Sequence, residues 1–515
     1  MSASLALALA LAVVPAIALS FALDAIAVPR APLARPLLSS MLHILSVGFL
    51  AGLAFALTSR PIFSACAALA LVGLVAAVSN AKYESLREPF VFTDLSLFSQ
   101  LFAHPRLYLP FLSAGKVVAI GAGIVLVIAG FVAERPLPPA AAAPSWLAVA
   151  LSFALAMAIA ARLPLTLEPS IDQRRHGFFA VFVAYLLNGL RPATFRRFRE
   201  CLAASPFATG EPALCPDVVL IQSESFFDAR RLGTAIEPGL LRCFDQARSE
   251  AAWHGEMTVP AWGANTMRTE FAVLTGTASR SLGYARFYPY AFVRRPLASL
   301  AAWFGRGGYE TVAIHPYYAD FFGRNRVFPL LGFERFLDIG HFASASRAGP
   351  YVADAAVGEA VVAELETAGP DRPRFVFAMT MENHGPLHLE TVQPGEAASR
   401  HTLGDDAQWR DLTAYLRHIE NADAMLGRLL DHLRSSDRRT VVCFYGDHVP
   451  ALSRIFDGLD VSPERSDYFI WRNFGIDKPE RRDLQAEMLG GLLLQATQQG
   501  GGSRMDQSRA PEKTT

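Results

Sequence analysis

The sequence is poor in lysine, in closely spaced cysteines and, over its first third, in charge. Lysine occurs only at positions 82, 116, 478 and 513, and the formal net charge is zero. A neutral chain without a basic face does not indicate nucleic-acid binding. The five cysteines, at positions 66, 201, 215, 243 and 443, are an odd number without tight spacing. This pattern excludes a disulfide framework and a cysteine zinc site.

Charged side chains are distributed unevenly along the chain. Residues 1–165 carry only 14 of them, and the remaining 350 residues carry 80. A chain of 515 residues is also too long for one ordinary hydrophobic core. We therefore expect an N-terminal membrane domain over residues 1–165, followed by a soluble part.

Five apolar stretches, at about 4–28, 38–58, 62–80, 117–133 and 146–161, predict about five membrane spans. A span requires about 20 apolar residues. The first stretch lacks a basic start and is followed by further spans, so it is not predicted to be a cleaved signal peptide. With the N-terminus inside, five spans place the rest of the chain outside. The arginines and lysines of the loops favour the opposite orientation.

Residues 166–213 are expected to form an interfacial helical linker. They contain the apolar run GFFAVFVAYLLNGL (177–190), which is short for a span and has arginines on both sides. Such a pattern favours a helix lying in the headgroup plane. A sixth span or a core helix is the alternative.

Residues 214–494 alternate short apolar runs with helical patterns. The runs DVVLIQ (217–222), TVAIHP (311–316), FVFAMTM (375–381) and TVVCFYG (440–446) are typical of buried strands. Their continuous apolar character predicts a mainly parallel sheet with helices on both faces, hence an α/β domain. The clearest helical pattern covers 409–436. The tail at 495–515 is rich in Gln, Gly and Ser and is predicted to be disordered.

Acidic and imidazole side chains follow these four strands. Glu224 comes just after the first, His315 closes the second, His384 lies three residues beyond the third, and Asp447 and His448 follow the fourth directly. Open α/β sheets bind ligands at the carboxyl ends of their strands. Each residue alone could be a cap or a satisfied polar group, but together they predict a site.

Five motifs in order extend this pattern, and they resemble those of one family. They are PDVVLIQSESFFD (216–228), WGANTMRTEFAVLTG (262–276), HPYYADFFGRNRVFPLLGF (315–333), MTMENHGPL (379–387) and FYGDHVP (444–450). Together they resemble the lipoteichoic acid synthase-like phosphoglycerol transferases of the sulfatase/alkaline phosphatase superfamily. The resemblance covers the soluble half closely and the N-terminal half in architecture.

The resemblance implies a metal centre with a threonine nucleophile. Glu224, Asp447 and His448 would hold a divalent cation, with Thr266 as nucleophile and fourth ligand. Two carboxylates and one imidazole suit Mn²⁺ or Mg²⁺, and Zn²⁺ less well; the family implies Mn²⁺ most often. A metal-bound hydroxyl is an activated nucleophile. The alternative for Thr266 is a plain helix N-cap, with Glu270 near the capping-box spacing.

Three further residues match substrate-binding positions of the family: Arg324, His384 and His315. Arginine can hold phosphate oxygens bidentately, and histidine can donate to them or transfer a proton. Arg326 is a rival to Arg324 because both lie in GRNR. No C-x-P-x-R-like motif occurs, which argues against sulfate-ester hydrolysis.

The implied function is transfer of glycerol phosphate from an anionic phospholipid such as phosphatidylglycerol to a cell-envelope glycan or glycerol-phosphate polymer, through a covalent Thr266 intermediate. The implied location is the cytoplasmic (inner) membrane, with a multi-pass anchor in the bilayer and the catalytic domain on the outer or periplasmic side. A phosphoethanolamine transferase or phosphodiesterase using the same site is the first alternative. A non-catalytic envelope scaffold is the second.

Overall fold

The computed structural model describes residues 3–97, 104–105, 114–213, 216–369, 372–475 and 478–498, which fall into two compact units. Residues 1–197 with 283–287 form the first unit, and residues 198–282 with 288–515 form the second. The predicted tail at 495–515 lies mostly outside the described residues. The domain limits expected from the sequence stay predictions.

The first unit is helical. Its helices, with one that continues into the second unit, are α1 Ala3–Asp24, α2 Leu37–Thr58, α3 Pro61–Leu86, α4 Ala114–Ala133, α5 Pro139–Ala142, α6 Ser145–Ala160, α7 Pro169–His176, α8 Phe178–Gly189 and α9 Pro192–Ala203. Helix α2 packs against α3 and α6, and α1 packs against α3. Small side chains such as Ala51 and Ala68 are buried where these helices meet.

Three helical stretches in the described part of the chain are long and apolar enough to cross a membrane: Leu37–Thr58, Pro61–Leu86 and Pro139–Ala160. Helices α8 and α9, bent by 68° at their break, add a fourth if the pair is one span. Shorter apolar helices at Val13–Asp24 and Ile120–Ala133 lie where the first and fourth spans are expected. The protein is thus built as a membrane protein, and the count of five spans stays a prediction.

Helix α8 coincides with the apolar run at 177–190 and is buried within the first unit. It contacts α2, α6 and α7, and Phe178, Phe179 and Tyr185 are almost fully buried. This burial is what the core-helix alternative predicts, and a position in the headgroup plane stays a prediction.

The second unit is an α/β domain around one mixed sheet. Its strands are β1 Asp217–Ser223, β2 Trp253–Thr258, β3 Glu310–Ile314, β4 Arg335–Leu337, β7 Arg374–Met379, β8 Thr440–Gly446, β9 Arg465–Arg472, β10 Glu480–Arg481 and β11 Leu484–Gln485; β5 Arg347–Ala348 and β6 Tyr351–Val352 form a separate pair. The order is β10-β2-β9-β8-β1-β7-β3-β4, with β11 also paired to β2. The five strands β8, β1, β7, β3 and β4 are parallel, and β9 is antiparallel to β8 and β2.

Helices cover both faces of this sheet, which confirms the predicted fold class. They are α10 Arg242–Glu250, α11 Met267–Thr275, α12 Leu300–Arg306, α13 Arg324–Val327, α14 Asp354–Glu366, α15 Arg410–Arg434, α16 Ser453–Gly458 and α17 Ala486–Gln498. Helices α10, α14 and α15 share one apolar core with residues such as Val219 and Val376. Helices α11, α12 and α17 lie on the other face, where Phe304 stacks on Phe375 at 4.6 Å.

The predicted strands and the long predicted helix are all present. The four apolar runs form β1, β3, β7 and β8, whose buried side chains explain their lack of polar alternation. Helix α15 places its periodic leucines, from Leu412 to Leu433, in the core. In the parallel register Ser223 pairs with Gly446, and Gln222 pairs with Met379. The strand ends that carry the candidate residues are therefore level with one another.

Candidate active site and metal centre

Three of the predicted metal ligands lie together at the carboxyl edge of the sheet. Suitable ligand atoms of Glu224, Asp447 and His448 all lie within 4.8 Å of one another, and all three residues are buried. Nε2 of His448 is 3.4 Å from Asp447 Oδ2 and 3.7 Å from Glu224 Oε1. In the described part of the chain, no other group of three such side chains is close enough to hold a metal ion.

The backbone around these strand ends is built to hold the acidic side chains. A Cβ on Gly446 would lie 1.8 Å from the carbonyl oxygen of Phe226, so only glycine allows β8 to pass there. Asp447 Oδ1 accepts hydrogen bonds from the backbone N–H groups of Ser225 and His448, both at 2.8 Å. Asp447 Oδ2 is buried and has no hydrogen-bond partner among the residues that the structure describes.

The ligand atoms of Glu224, Asp447 and His448 fit a divalent cation. Nδ1 of His448 is 3.0 Å from the Val449 carbonyl oxygen and can only donate to it, so Nε2 keeps its lone pair toward the carboxylates. Burial, and then the neighbouring Asp447 carboxylate, raise the pKa of Glu224. Acceptor atoms crowded in a buried place repel one another unless a proton or a cation lies between them. A donor set of two carboxylates and one imidazole suits Mn²⁺ or Mg²⁺.

Thr266 lies next to this cluster at the start of helix α11. Its Oγ1 is 3.3 Å from Nε2 of His448, and the residue is partly exposed. Its side chain forms no capping hydrogen bond, although the residue occupies the N-cap position. Thr269 Oγ1 donates to the Asp447 carbonyl oxygen at 2.7 Å and so connects α11 to the loop that follows β8. The structure thus places the hydroxyl beside the cluster, and the role of Thr266 as nucleophile stays a prediction.

Arg324 and His315 are in direct contact. Nη1 of Arg324 donates to Nε2 of His315 at 3.2 Å, and both side chains are buried. Burial, followed by the Arg324 charge, lowers the pKa of His315 well below its ordinary value, so the ring is a neutral acceptor. His315 thus holds the arginine, and its direct contact with substrate stays a prediction. The rival Arg326 donates to the carbonyl oxygens of Val293 and Tyr290.

His384 lies on the loop after β7. Its Nδ1 donates to the Gly385 carbonyl oxygen at 2.7 Å, which leaves Nε2 as the available ring nitrogen. Burial lowers the pKa of His384, so the ring is neutral at neutral pH. Asn383 donates to the Glu224 carbonyl oxygen at 3.3 Å and connects this loop to the metal cluster.

Sequence reasoning assigned no catalytic role to Glu270, which the structure places beside Arg324. The Glu270 carboxylate is fully buried and accepts from Nε and Nη2 of Arg324 at 3.1 and 2.8 Å. The sequence indicated Glu270 only as part of a capping box. The signal that was available is an acidic residue within the apolar stretch EFAVL, because a buried carboxylate requires a partner.

Comparison with known proteins assigns the family. Residues 216–490 match the Sulfatase family, and this is more than half of the chain. The protein therefore belongs to the Sulfatase family, which confirms the superfamily inferred from the five motifs.

Three individual proteins are similar to this chain over different lengths. The capsular polysaccharide biosynthesis protein RkpI of Rhizobium meliloti (strain 1021) is 29% identical over 442 residues, covering 81% of this chain and 78% of that protein. The lipooligosaccharide phosphoethanolamine transferase EptA of Neisseria meningitidis, an integral membrane protein, aligns over 88% of this chain and 87% of its own, with 14% identity and a TM-score of 0.53. That likeness shows a shared fold. The Streptococcus pyogenes phosphoglycerol transferase GacH, solved with sn-glycerol-1-phosphate, covers 59% of this chain and 80% of its own, with 20% identity and a TM-score of 0.47.

Proposed function

We propose that this protein is a membrane-bound, metal-dependent phosphotransferase that moves glycerol phosphate from an anionic phospholipid to a cell-envelope glycan or polymer. The observation that carries the proposal is the Thr266 hydroxyl, which faces Nε2 of His448 within the cluster that includes Glu224 and Asp447. A hydroxyl not used for capping, placed beside an acceptor-rich cluster at a helix start, is arranged for covalent phosphoryl chemistry.

The first half-reaction forms a bond from Thr266 Oγ to phosphorus. The bond from phosphorus to the diacylglycerol oxygen breaks, and diacylglycerol leaves with one proton. Nε2 of His384, on a neutral ring, is the candidate to carry a proton between the hydroxyl and the leaving oxygen. A divalent cation held by Glu224, Thr266, Asp447 and His448, Mn²⁺ in the first instance, would lower the pKa of the hydroxyl and neutralise phosphate charge.

The second half-reaction restores Thr266. A hydroxyl oxygen of the acceptor bonds to phosphorus while the bond to Thr266 Oγ1 breaks, and the proton of the acceptor hydroxyl passes to Thr266 Oγ1. Arg324 would hold nonbridging phosphate oxygens in both steps, because guanidinium groups match them in geometry and charge. Helices that anchor the domain to the bilayer would keep the site at the surface of its lipid donor.

The choice of donor and acceptor is supported by the motif resemblance to phosphoglycerol transferases and by the name of RkpI, a protein of capsular polysaccharide biosynthesis. The fold shared with EptA supports the alternative that phosphoethanolamine is moved. Purified protein with Mn²⁺ and vesicles of either phosphatidylglycerol or phosphatidylethanolamine separates the two. We expect diacylglycerol from phosphatidylglycerol and little from phosphatidylethanolamine. The reverse would establish the alternative, and no turnover of either lipid by metal-loaded protein would favour the scaffold.

An envelope acceptor requires the catalytic domain to lie outside the cytoplasm. We propose this orientation although the charges of the loops favour the opposite one. A phosphatase reporter that is active only outside the cytoplasm, fused after residue 210, is expected to be active. Activity of a cytoplasm-only reporter at the same position would contradict the orientation. Mass spectrometry of envelope glycans from a deletion strain would then identify the acceptor by its lost glycerol phosphate.

A further inference from the structure

The pair formed by Glu270 and Arg324 is the most deeply buried ion pair near the candidate active site. Both side chains are at most 1% exposed. The contact is side-on: Nε and Nη2 of the arginine donate to the two carboxylate oxygens at 3.1 and 2.8 Å. Nη1 donates to Nε2 of His315 at 3.2 Å. Two neighbours thus fix the guanidinium from two sides.

These contacts decide which donors of Arg324 remain. A guanidinium has five N–H groups in a fixed plane. Glu270 takes the Nε–H and one N–H of Nη2, and His315 takes one N–H of Nη1. One N–H remains on each terminal nitrogen, and the one on Nη2 lies on the end-on side of the guanidinium, away from Nε. That side is the end-on fork, which can match two oxygens of a phosphate.

Glu270 is itself held rigidly. The Tyr290 hydroxyl donates to Oε1, and Gln222 Nε2 donates to Oε2 at 3.4 Å. Gln222 in turn accepts from the Tyr445 hydroxyl at 2.6 Å. All of these residues are buried, so few other rotamers are open to the carboxylate.

Glu270 also belongs to the helix that carries the proposed nucleophile. Its backbone N–H donates to the Thr266 carbonyl oxygen at 3.0 Å, which makes the two residues neighbours across the first turn of α11. One turn of helix therefore supports both the nucleophile and the anchor of the arginine. A shift of that turn would move both groups together.

We propose that Glu270 is a positioning residue of the transfer reaction, which orients the end-on fork of Arg324 toward the phosphate and fixes its distance from Thr266. The proposal rests on the proposed function in that Arg324 holds the transferred phosphate group. A carboxylate this close to a phosphate repels it, so charge alone would make Glu270 unfavourable for binding. If Glu270 acts mainly by orienting Arg324, neutralising it weakens the binding of phosphate. If it acts mainly by repelling the phosphate charge, neutralising it strengthens the binding.

The test is the affinity for glycerol phosphate, measured by calorimetry on the full-length protein in detergent with saturating Mn²⁺. The variants are Glu270→Gln, Arg324→Gln and their double substitution. We expect Arg324→Gln and Glu270→Gln each to weaken binding by about tenfold or more, the scale of one lost contact to a charged group. The double variant is expected to bind no more weakly than Arg324→Gln alone, because the two residues act as one unit.

Two controls separate positioning from general damage. Glu364→Gln removes another buried glutamate that binds Arg335 through both oxygens, near the opposite edge of the sheet. It is expected to lower the melting temperature and leave the affinity unchanged. Tyr290→Phe keeps the charge of Glu270 but removes one of its hydrogen bonds, and a smaller loss of affinity in the same direction is expected.

Equal or tighter binding by Glu270→Gln would overturn the proposal, since that is the result of a charge effect. The proposal would also be overturned if Glu270→Gln lowered the affinity for glycerol phosphate equally in the wild type and in the Arg324→Gln background. An Arg324→Gln protein that binds glycerol phosphate like wild type would overturn it as well. Failure of the proposed function is seen separately. A protein with the expected binding pattern that releases no diacylglycerol from lipid would contradict the transfer reaction, while the orientation of Arg324 by Glu270 for phosphate binding would stand.

Discussion

The Oγ1 atom of Thr266 lies 3.3 Å from Nε2 of His448, although the two residues are 182 positions apart in the chain. The sheet brings them together, because β8 delivers the histidine to the edge where helix α11 begins. The hydroxyl faces the cluster of ligand atoms instead of capping its own helix.

Removal of one carboxylate should abolish metal binding. Asp447→Asn deletes the negative charge of the fully buried ligand whose Oδ2 lacks a partner. We expect Mn²⁺ affinity to fall by more than about 100-fold, because even outer-shell partners of a metal ligand account for 10–100-fold. Calorimetry and metal analysis of the purified protein measure this. Asp423→Asn is the matched control, since Asp423 is also buried and accepts hydrogen bonds from the backbone N–H groups of Cys243 and Phe244. Equal metal content in both variants would contradict the site.

His384 should contribute to turnover and not to metal binding. We expect His384→Gln to lower kcat/KM for the lipid donor by about 10²–10⁴-fold, the usual contribution of a positioned acid or base. Because burial lowers the pKa of His384, activity should persist as pH falls past the ordinary value of histidine and decline only below it. The control is His401→Gln, a buried histidine that binds Thr413. Unchanged kcat/KM in His384→Gln would remove this residue from the site.

His418 should make the stability of the second unit depend on pH. Burial disfavours the charged ring, but the hydrogen bond from Nδ1 to Glu382 at 2.9 Å, and then the Glu390 carboxylate 3.8 Å from Nε2, raise the pKa of His418 to about 8. A raised pKa stabilises the fold fully below the unfolded value, near 6.5, and this stabilisation is lost as pH rises through 8. The charged His418 ring therefore stabilises the folded state by about 2 kcal/mol at low pH. We expect the melting temperature of His418→Gln to lie below that of wild type at pH 6 and to approach it by pH 9. A gap independent of pH would contradict the prediction.

Gly177 should be required for the packing of the first unit. Its φ is +86°, and a Cβ there would lie 2.0 Å from Nη1 of Arg35 and 2.8 Å from Oδ2 of Asp24, which form a buried ion pair. We expect Gly177→Ala to destabilise this unit, with about 1–3 kcal/mol from backbone strain alone. Thermal unfolding in detergent measures the effect. Gly48→Ala, where a Cβ meets nothing within 4 Å, should have little effect. Similar melting of both variants would contradict the packing.

The central strands could be predicted from sequence because β1, β7 and β8 are buried on both faces. Their runs of apolar residues are continuous, and polar residues begin where each strand ends. Strand β2 was missed because its burial alternates and WHGEMT contains a glycine. The antiparallel strand β9 begins with charged residues, which obscure its buried centre.

The contacts of Arg324 could not be predicted in the same way. Counting back from LLGF (330–333) favours Arg324 over Arg326, but sequence spacing does not show that Glu270 and His315 would surround its guanidinium. Such contacts depend on side chains that meet through the core from separate elements. The number of membrane spans is similarly undecided by hydropathy, because short apolar helices such as α8 can be buried in protein as well as in lipid.

The covalent state of Thr266 tests the central claim most directly. Metal-loaded protein would be mixed with phosphatidylglycerol in the absence of acceptor, quenched in acid and analysed by intact and peptide mass spectrometry. The account predicts a glycerol-phosphate adduct on the peptide that contains Thr266, absent from Thr266→Ala and removed when acceptor is added before quenching. Diacylglycerol release by Thr266→Ala at the wild-type rate, or an adduct on a different residue, would contradict it.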